Sequence, residues 1–223
     1  MIEVLDHGYV RLVEQAGSDL SIVRAARVSY NAEPRNDGSD NKLIHYLLKN
    51  KHTSPFEAVT FTFEIKAPIF VFRQWHRHRT WSYNEVSARY SELPAEFYVP
   101  ACEQITTQSK DNKQMRTAEQ HPAAEEIQEF IRDKCKECFG EYHRLLGLGC
   151  PRELARSVLP VATYSHMFAT VNLHNLFHFL QLRLHSHAQY EIRVYAEAIL
   201  KIIQPVVPVS VAAFRQHILG ELQ

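Results

Sequence analysis

Val59-Thr60-Phe61-Thr62-Phe63-Glu64-Ile65 sets an apolar side chain at every second residue, with Thr60, Thr62 and Glu64 between them. A period of two marks a strand with one buried face. After Lys66-Ala67-Pro68 comes a dense apolar run, Ile69-Phe70-Val71-Phe72, which strand or helix could use. Outward from this strand the spacing becomes helical. Ser18-Asp19-Leu20 is a helix start leading into residues 22–28. Residues 42–50 put Leu43, Tyr46 and Leu47 on one side of a second helix. Pro151 suits the first position of a short helix over 152–159, which Pro160 closes. Longer helices are expected over 123–146, 173–184, 188–203 and 210–222. No internal repeat is present. Residues 104–122 are polar, and 101–122 reads as a mobile excursion from a core that resumes afterwards. The expected fold is α+β, one compact domain over residues 1–223, with more helix than strand.

Composition narrows the function. The 25 Lys+Arg balance 25 Asp+Glu, so the chain lacks the basic excess of a nucleic-acid coat or a membrane-surface binder. Only 7 glycines occur, and Gly147-x-Gly149 is followed at position 152 by arginine. Neither a G-x-G-x-x-G fingerprint nor a P-loop is present, so no glycine-rich loop cradles phosphate. The N-terminus has no signal-peptide pattern, and no apolar run could span a bilayer. Cys102, Cys135, Cys138 and Cys150 are too few for a disulfide scaffold. Cys135-x-x-Cys138 lies within a helical stretch rather than at a helix start, and has no second pair to make a zinc site. A reducing cytoplasm is the expected compartment.

Residues 73–90 carry the chemistry: Arg-Gln-Trp-His-Arg-His-Arg-Thr-Trp-Ser-Tyr-Asn-Glu-Val-Ser-Ala-Arg-Tyr. Arg73, Arg77, Arg79 and Arg89 concentrate cations in an otherwise neutral chain, which builds a local anion site. Arginine forks match phosphate bidentately, and Trp75 and Trp81 offer aromatic faces to a planar ring. The plain alternative is a solvated basic loop.

Arg183 is the second unusual feature. At about 100° per residue it falls within an arc of Leu173, Leu176, Phe179, Leu180 and Leu182. A guanidinium among leucines needs a partner, either a buried carboxylate or a ligand oxygen, unless it snorkels to solvent. His174, His178, Gln181 and His185 form a polar stripe on the other side. His174-x-x-x-His178 has metal-pair spacing, but no third ligand completes it, so no metal is expected. Cys150 shows no adjacent base and reads as packing.

Arg77-His78-Arg79, then seven residues, then Ser87 resembles the signature of the flavin-dependent thymidylate synthase family. Other blocks fit the same family in order. They are Ser18 to Ser21 with Arg24-Ala25-Ala26-Arg27-Val28-Ser29, then His52-Thr53-Ser54-Pro55-Phe56-Glu57, and Lys66-Ala67-Pro68-Ile69-Phe70. Pro151-Arg152-Glu153-Leu154-Ala155-Arg156, Leu159-Pro160 and Ser186-His187-Ala188-Gln189-Tyr190-Glu191 complete the likeness, which omits only residues 101–122.

The resemblance implies reductive methylation of dUMP to dTMP. Carbon would come from 5,10-methylenetetrahydrofolate and electrons from NADPH through FAD. It also implies a small antiparallel sheet flanked by long helices, in a homotetramer whose active sites are shared between subunits. By matched position, dUMP would meet Gln74, Trp75, His76, Arg77, Glu85, Val86, Ser87, Ala88, Arg89, Arg156 and Arg183. FAD would meet Ser54, Arg77, His78, Arg79, Glu85, Asn172, His174 and His178. Arg183 matches the catalytic arginine that favours ionisation of the uracil ring at N3. His52 and Tyr90 would lie near folate or flavin. Ser87 would position dUMP rather than attack it, since no base is evident. Many members carry Arg where His174 stands and Asn where His178 stands, so FAD affinity is expected to depend on pH here.

Two other readings use the same residues. A single-strand-binding module could stack bases on Trp75, Trp81 and the tyrosines beside the arginines. A metal hydrolase could use the histidines.

Overall fold

The computed structural model describes residues 1–35 and 37–221. In chain order its regular elements begin with β1 (Ile2–Val4), β2 (Gly8–Ala16), α1 (Asp19–Arg27), α2 (Gly38–Lys49), β3 (Thr60–Pro68), α3 (Ile69–Trp75) and β4 (Ser82–Glu85). They continue with β5 (Thr106–Gln108), β6 (Arg116–Gln120), α4 (Ala124–Gly147), α5 (Arg152–Ala155), β7 (Tyr164–Asn172), α6 (Leu173–Arg183), α7 (Tyr190–Ile203) and α8 (Pro208–Phe214). Strands β1-β2-β3-β7-β4 form one antiparallel sheet in that order, and β5-β6 a separate pair. The fold is α+β in one compact domain, as the sequence implies.

β3 lies at the centre of the large sheet. Its alternating residues Phe61, Phe63, Ile65 and Ala67 are buried. Register with β7 sets Val171, Ala169 and Met167 on the same face, opposite Phe61, Phe63 and Ile65. Helices α6 and α7 bring Leu173, Leu176, Phe179, Ile192, Tyr195 and Ile199 into the same core. On the other face, Glu64 is nevertheless buried, because Arg11, Tyr9 and His166 all donate to it. Burial raises its pKa, but those bonds outweigh it and hold the carboxyl below its ordinary value.

Ile69-Phe70-Val71-Phe72 resolves as helix. Pro68 ends β3 and caps α3, and the first helical amides are satisfied across the fold, Ile69 by the Thr163 carbonyl at 3.0 Å and Phe70 by that of Val161 at 3.0 Å. The helix turns Val71, Phe72 and Trp75 inward and leaves Arg73 outside. Tight backbone approach fixes Gly8, where a Cβ would come within 2.0 Å of the Tyr195 hydroxyl.

Several expectations are corrected. Strands β1, β2, β4 and β7 add to the one strand that the alternation marks. The excursion contains a hairpin, β5-β6, tied down where Arg116 donates to the Gln104 carbonyl at 2.9 Å. Helix α2 begins at Gly38 rather than at 42, because the Asp37 side chain accepts from the Ser39 amide at 2.8 Å. The helix expected over 210–222 runs from Pro208 to Phe214, then widens into a π turn over Arg215–Leu219 before Gly220 at φ 73°. Leu222 lies outside the described residues. No helix among those residues is long and apolar enough to cross a membrane. Cys135 and Cys138 are unpaired on α4, and burial pushes the Cys135 thiol pKa up, away from a reactive thiolate.

Phe179 stacks on Trp75 with centroids 4.8 Å apart, joining α6 to α3. Phe179→Ala should cost about 3–5 kcal/mol in urea unfolding, the usual loss for a buried phenylalanine. A loss below about 1 kcal/mol would contradict this packing.

Candidate active site

The turn after α3 is built from its own backbone. Tyr83, on β4, donates its hydroxyl to the carbonyls of Trp75 and His78 at 3.2 and 2.8 Å. That arrangement closes residues 75–78 against the sheet and points Gln74 and His78 at the end of α6. There Arg183 donates Nε to His78 Nε2 at 2.9 Å and Nη2 to the Gln74 carbonyl at 3.3 Å. His78 accepts at Nε2, so its own proton sits on Nδ1. Burial, helped by the charge of Arg183 and by His178, lowers the His78 pKa to about 4. The imidazole is therefore neutral at ordinary pH and fit to accept.

No carboxylate lies within ion-pair distance of Arg183 among the described residues, which removes the salt bridge considered from the sequence. Its Nη1 has no protein partner among them. Burial also lowers the Arg183 pKa, a sign that its charge is incompletely solvated.

The other expected residues have contacts of their own. Gln74 donates Nε2 to Gln189 Oε1 at 2.5 Å. Glu85 accepts from Ser165 at 2.6 Å. Arg89 lies 3.6 Å from Glu153, and Arg156 donates to the Glu153 carbonyl at 3.3 Å, so the short 151–158 segment meets the end of the arginine-rich stretch. Ser87 Oγ accepts from the Arg89 amide at 3.3 Å and has no base bonded to it among the described residues. Val86 is exposed, Ala88 is buried, and His76 packs on Phe72 and Tyr83. Arg73, Arg77 and Arg79 are exposed and without ion-pair partners among the described residues.

Some of the residues expected at the flavin line two separate cavities. His174 and His178 line one of about 340 Å³ with Lys51, Thr53, Phe56 and Phe177. Ser54 and His52 line another of about 390 Å³ between α1 and α2. Asn172 caps α6, its side chain accepting from the Asn175 amide at 2.9 Å. His178 and His78 approach with ring centroids 6.1 Å apart, which links the first cavity to Arg183. Tyr90 is exposed.

The tryptophan expectation is corrected. Trp75 and Trp81 are 0% and 6% exposed, their ring nitrogens unbonded, and each packs against the other and Phe179. Neither ring offers a face to a ligand. α3 turns Trp75 inward with its other apolar positions, and Trp81, in the turn before β4, packs onto it and onto Phe179. The single-strand-binding reading loses both tryptophans as stacking faces. Among the described residues, no group of three or more His, Cys, Asp or Glu could hold a metal. Tyr83, Ser165, Glu153, Gln189 and Glu191 were given no role from the sequence; only tertiary contact shows one.

These features define an α+β protein with a concentrated set of unpaired arginines and one half-buried guanidinium held by neutral acceptors, a site suited to anionic ligands. The chain belongs to the flavin-dependent thymidylate synthase family, and so is an enzyme of the FAD-dependent kind. The family model described as "Thymidylate synthase complementing protein" matches residues 11–209. A flavin-dependent thymidylate synthase of Treponema denticola is 50% identical over 217 residues, covering 96% of this chain and 82% of that one. One from Thermus thermophilus is 51% identical over 218 residues, covering 98% and 79%. A solved structure of the UMP/dUMP methylase PolB from Streptomyces cacaoi, bound with 5-Br dUMP, superposes with a TM-score of 0.88 at 40% identity, covering 97% of this chain and 98% of that one.

Neutral His78 gives a pH test. The unfolded imidazole takes a proton near pH 6.5 and the folded one only near pH 4, so this residue's contribution to stability is full above 6.5 and lost as pH falls towards 4. His78→Gln keeps a possible acceptor and should flatten that part of the acid slope in urea melts. An unchanged slope would contradict a neutral, buried His78.

Proposed function

We propose that the chain methylates dUMP to dTMP with 5,10-methylenetetrahydrofolate as carbon donor and NADPH as the source of electrons. One observation carries this reading: the Arg183 guanidinium rests on a neutral imidazole and a carbonyl, and no carboxylate among the described residues neutralises it. Its charge therefore remains for a ligand.

The residues fit FAD. Arg77 and Arg79 are exposed forks with no ion-pair partner among the described residues, suited to a diphosphate. His174 and His178, beside Phe177 and Phe56, combine donors with apolar wall in one cavity. Asn172, Ser54 and Glu85 complete the proposed set. FAD, when bound, supplies the hydride for the reaction. Arg89, Arg156 and Arg77 would hold the dUMP phosphate, with Gln74, His76, Val86, Ser87 and Ala88 along the nucleotide. Trp75 can contribute only through its backbone. Arg183 would meet the pyrimidine and stabilise the negative charge that develops there, while His78 keeps the guanidinium aimed. Ser87 positions rather than attacks. Because Ser54 and His52 line a cavity apart from His174 and His178, a homotetramer with sites shared between subunits suits the set better than one chain alone.

The test is dUMP-dependent formation of dTMP with reduced FAD and methylenetetrahydrofolate. Arg183→Ala should bind FAD normally yet lose turnover; near-normal turnover would refute its role. Arg89→Ala should weaken dUMP binding by about 1.5–3 kcal/mol, the value of a charge-assisted contact. Unchanged dUMP affinity would remove Arg89 from the phosphate site.

A further inference from the structure

The amide of Gln74 has a fixed orientation, and the cause lies in Gln189 and, beyond it, Glu191. Glu191 is 3% exposed, and its carboxylate accepts from both sides of the site. Arg116, on β6, donates Nη2 to Oε1 and Oε2 at 2.8 and 2.9 Å. Tyr98 donates to Oε1 at 3.3 Å, and Gln189 donates Nε2 to Oε2 at 2.8 Å. A carboxylate paired with arginine can only accept. Gln189 must therefore turn its NH2 towards Glu191 and its carbonyl towards Gln74. Gln74 must in turn give an N–H to that carbonyl, which it does at 2.5 Å. What Gln74 keeps for a ligand is its own Oε1 and one remaining amide hydrogen. Oε1 has no protein partner among the described residues.

An unrestrained glutamine amide can rotate by half a turn and pair with either a donor–acceptor edge or its reverse. This one cannot do so without leaving Gln189 and Glu191 unsatisfied, which is costly at a buried carboxylate. We propose that Glu191 and Gln189 are positioning residues that make Gln74 a one-way reader of the pyrimidine edge. The acceptor Oε1 matches the imide N–H of a neutral uracil ring and opposes the ring nitrogen acceptor of cytosine. Gln74 acts on the neutral ring as it binds, before charge develops under Arg183. The Gln74 backbone carbonyl already holds Arg183, so the reader and the catalytic cation are fixed to one residue. Arg116 extends the chain of bonds to the β5-β6 hairpin.

This inference rests on dUMP as substrate, and the test separates the two. Calorimetric titration of the FAD-loaded enzyme with dUMP and with dCMP gives a binding ratio. The wild type should prefer dUMP strongly. Gln189→Leu removes the restraint on Gln74, so the preference should fall by roughly tenfold or more, the size of one lost base-edge reading. FAD affinity should not change. Glu191→Gln keeps the side-chain volume and a carbonyl for Arg116 but frees the polarity of the relay; it should lower the ratio too, and it carries the test if Gln189→Leu does not fold. A Gln189→Leu or Glu191→Gln enzyme that folds and keeps the wild-type ratio would overturn the relay. A wild type that ignores dUMP altogether would instead overturn the proposed function.

Discussion

The bond from Arg183 Nε to neutral His78 is the constraint on which the site depends. It places a guanidinium at the end of α6 without cancelling its charge. A carboxylate partner would have given a more ordinary buried ion pair and a duller site. The imidazole can do this only while unprotonated, and the enclosing Phe179 and the cation itself ensure that it stays so. The same enclosure explains why two tryptophans sit in an arginine-rich stretch. They wall the turn that holds His78, and Tyr83 ties its backbone to β4.

The proposed phosphate contacts need no glycine loop. With 7 glycines in 223 residues the chain has few places for a backbone cradle. The exposed, unpaired arginines at 73, 77 and 79, and Arg89 and Arg156 clustered about Glu153, offer side-chain forks instead. A formal net charge of zero conceals this, because it sums over the whole chain and not over residues 73–90.

Much of the fold was legible. The alternation from Val59 to Ile65 marked the central strand, and proline and apolar spacing marked most helices. The missed strands have physical reasons. A bulge between Leu12 and Glu14 breaks the period of β2. β7 turns Ser165 and Ala169 inward and leaves Phe168 39% exposed, so its alternation is blurred. β5 and β6 are short and polar, which resembles a loop. In the site, Arg183 stood out because one cation interrupts an apolar arc. The tryptophans misled because aromatic rings beside arginines look alike whether they face a ligand or a core. Gln189 and Glu191 stand in a stretch that resembles the family, yet nothing local shows what they bond, since Gln74 and Arg116 lie over seventy positions away.

The central claim is that side-chain cations, with Arg183 uncancelled, gather a flavin and a pyrimidine nucleotide at one site. The visible absorption of the purified protein, supplied with FAD and titrated with dUMP, tests it most directly. The account predicts a retained flavin band that shifts as dUMP binds. A colourless protein that retains no added FAD, or a flavin band indifferent to dUMP, would contradict it.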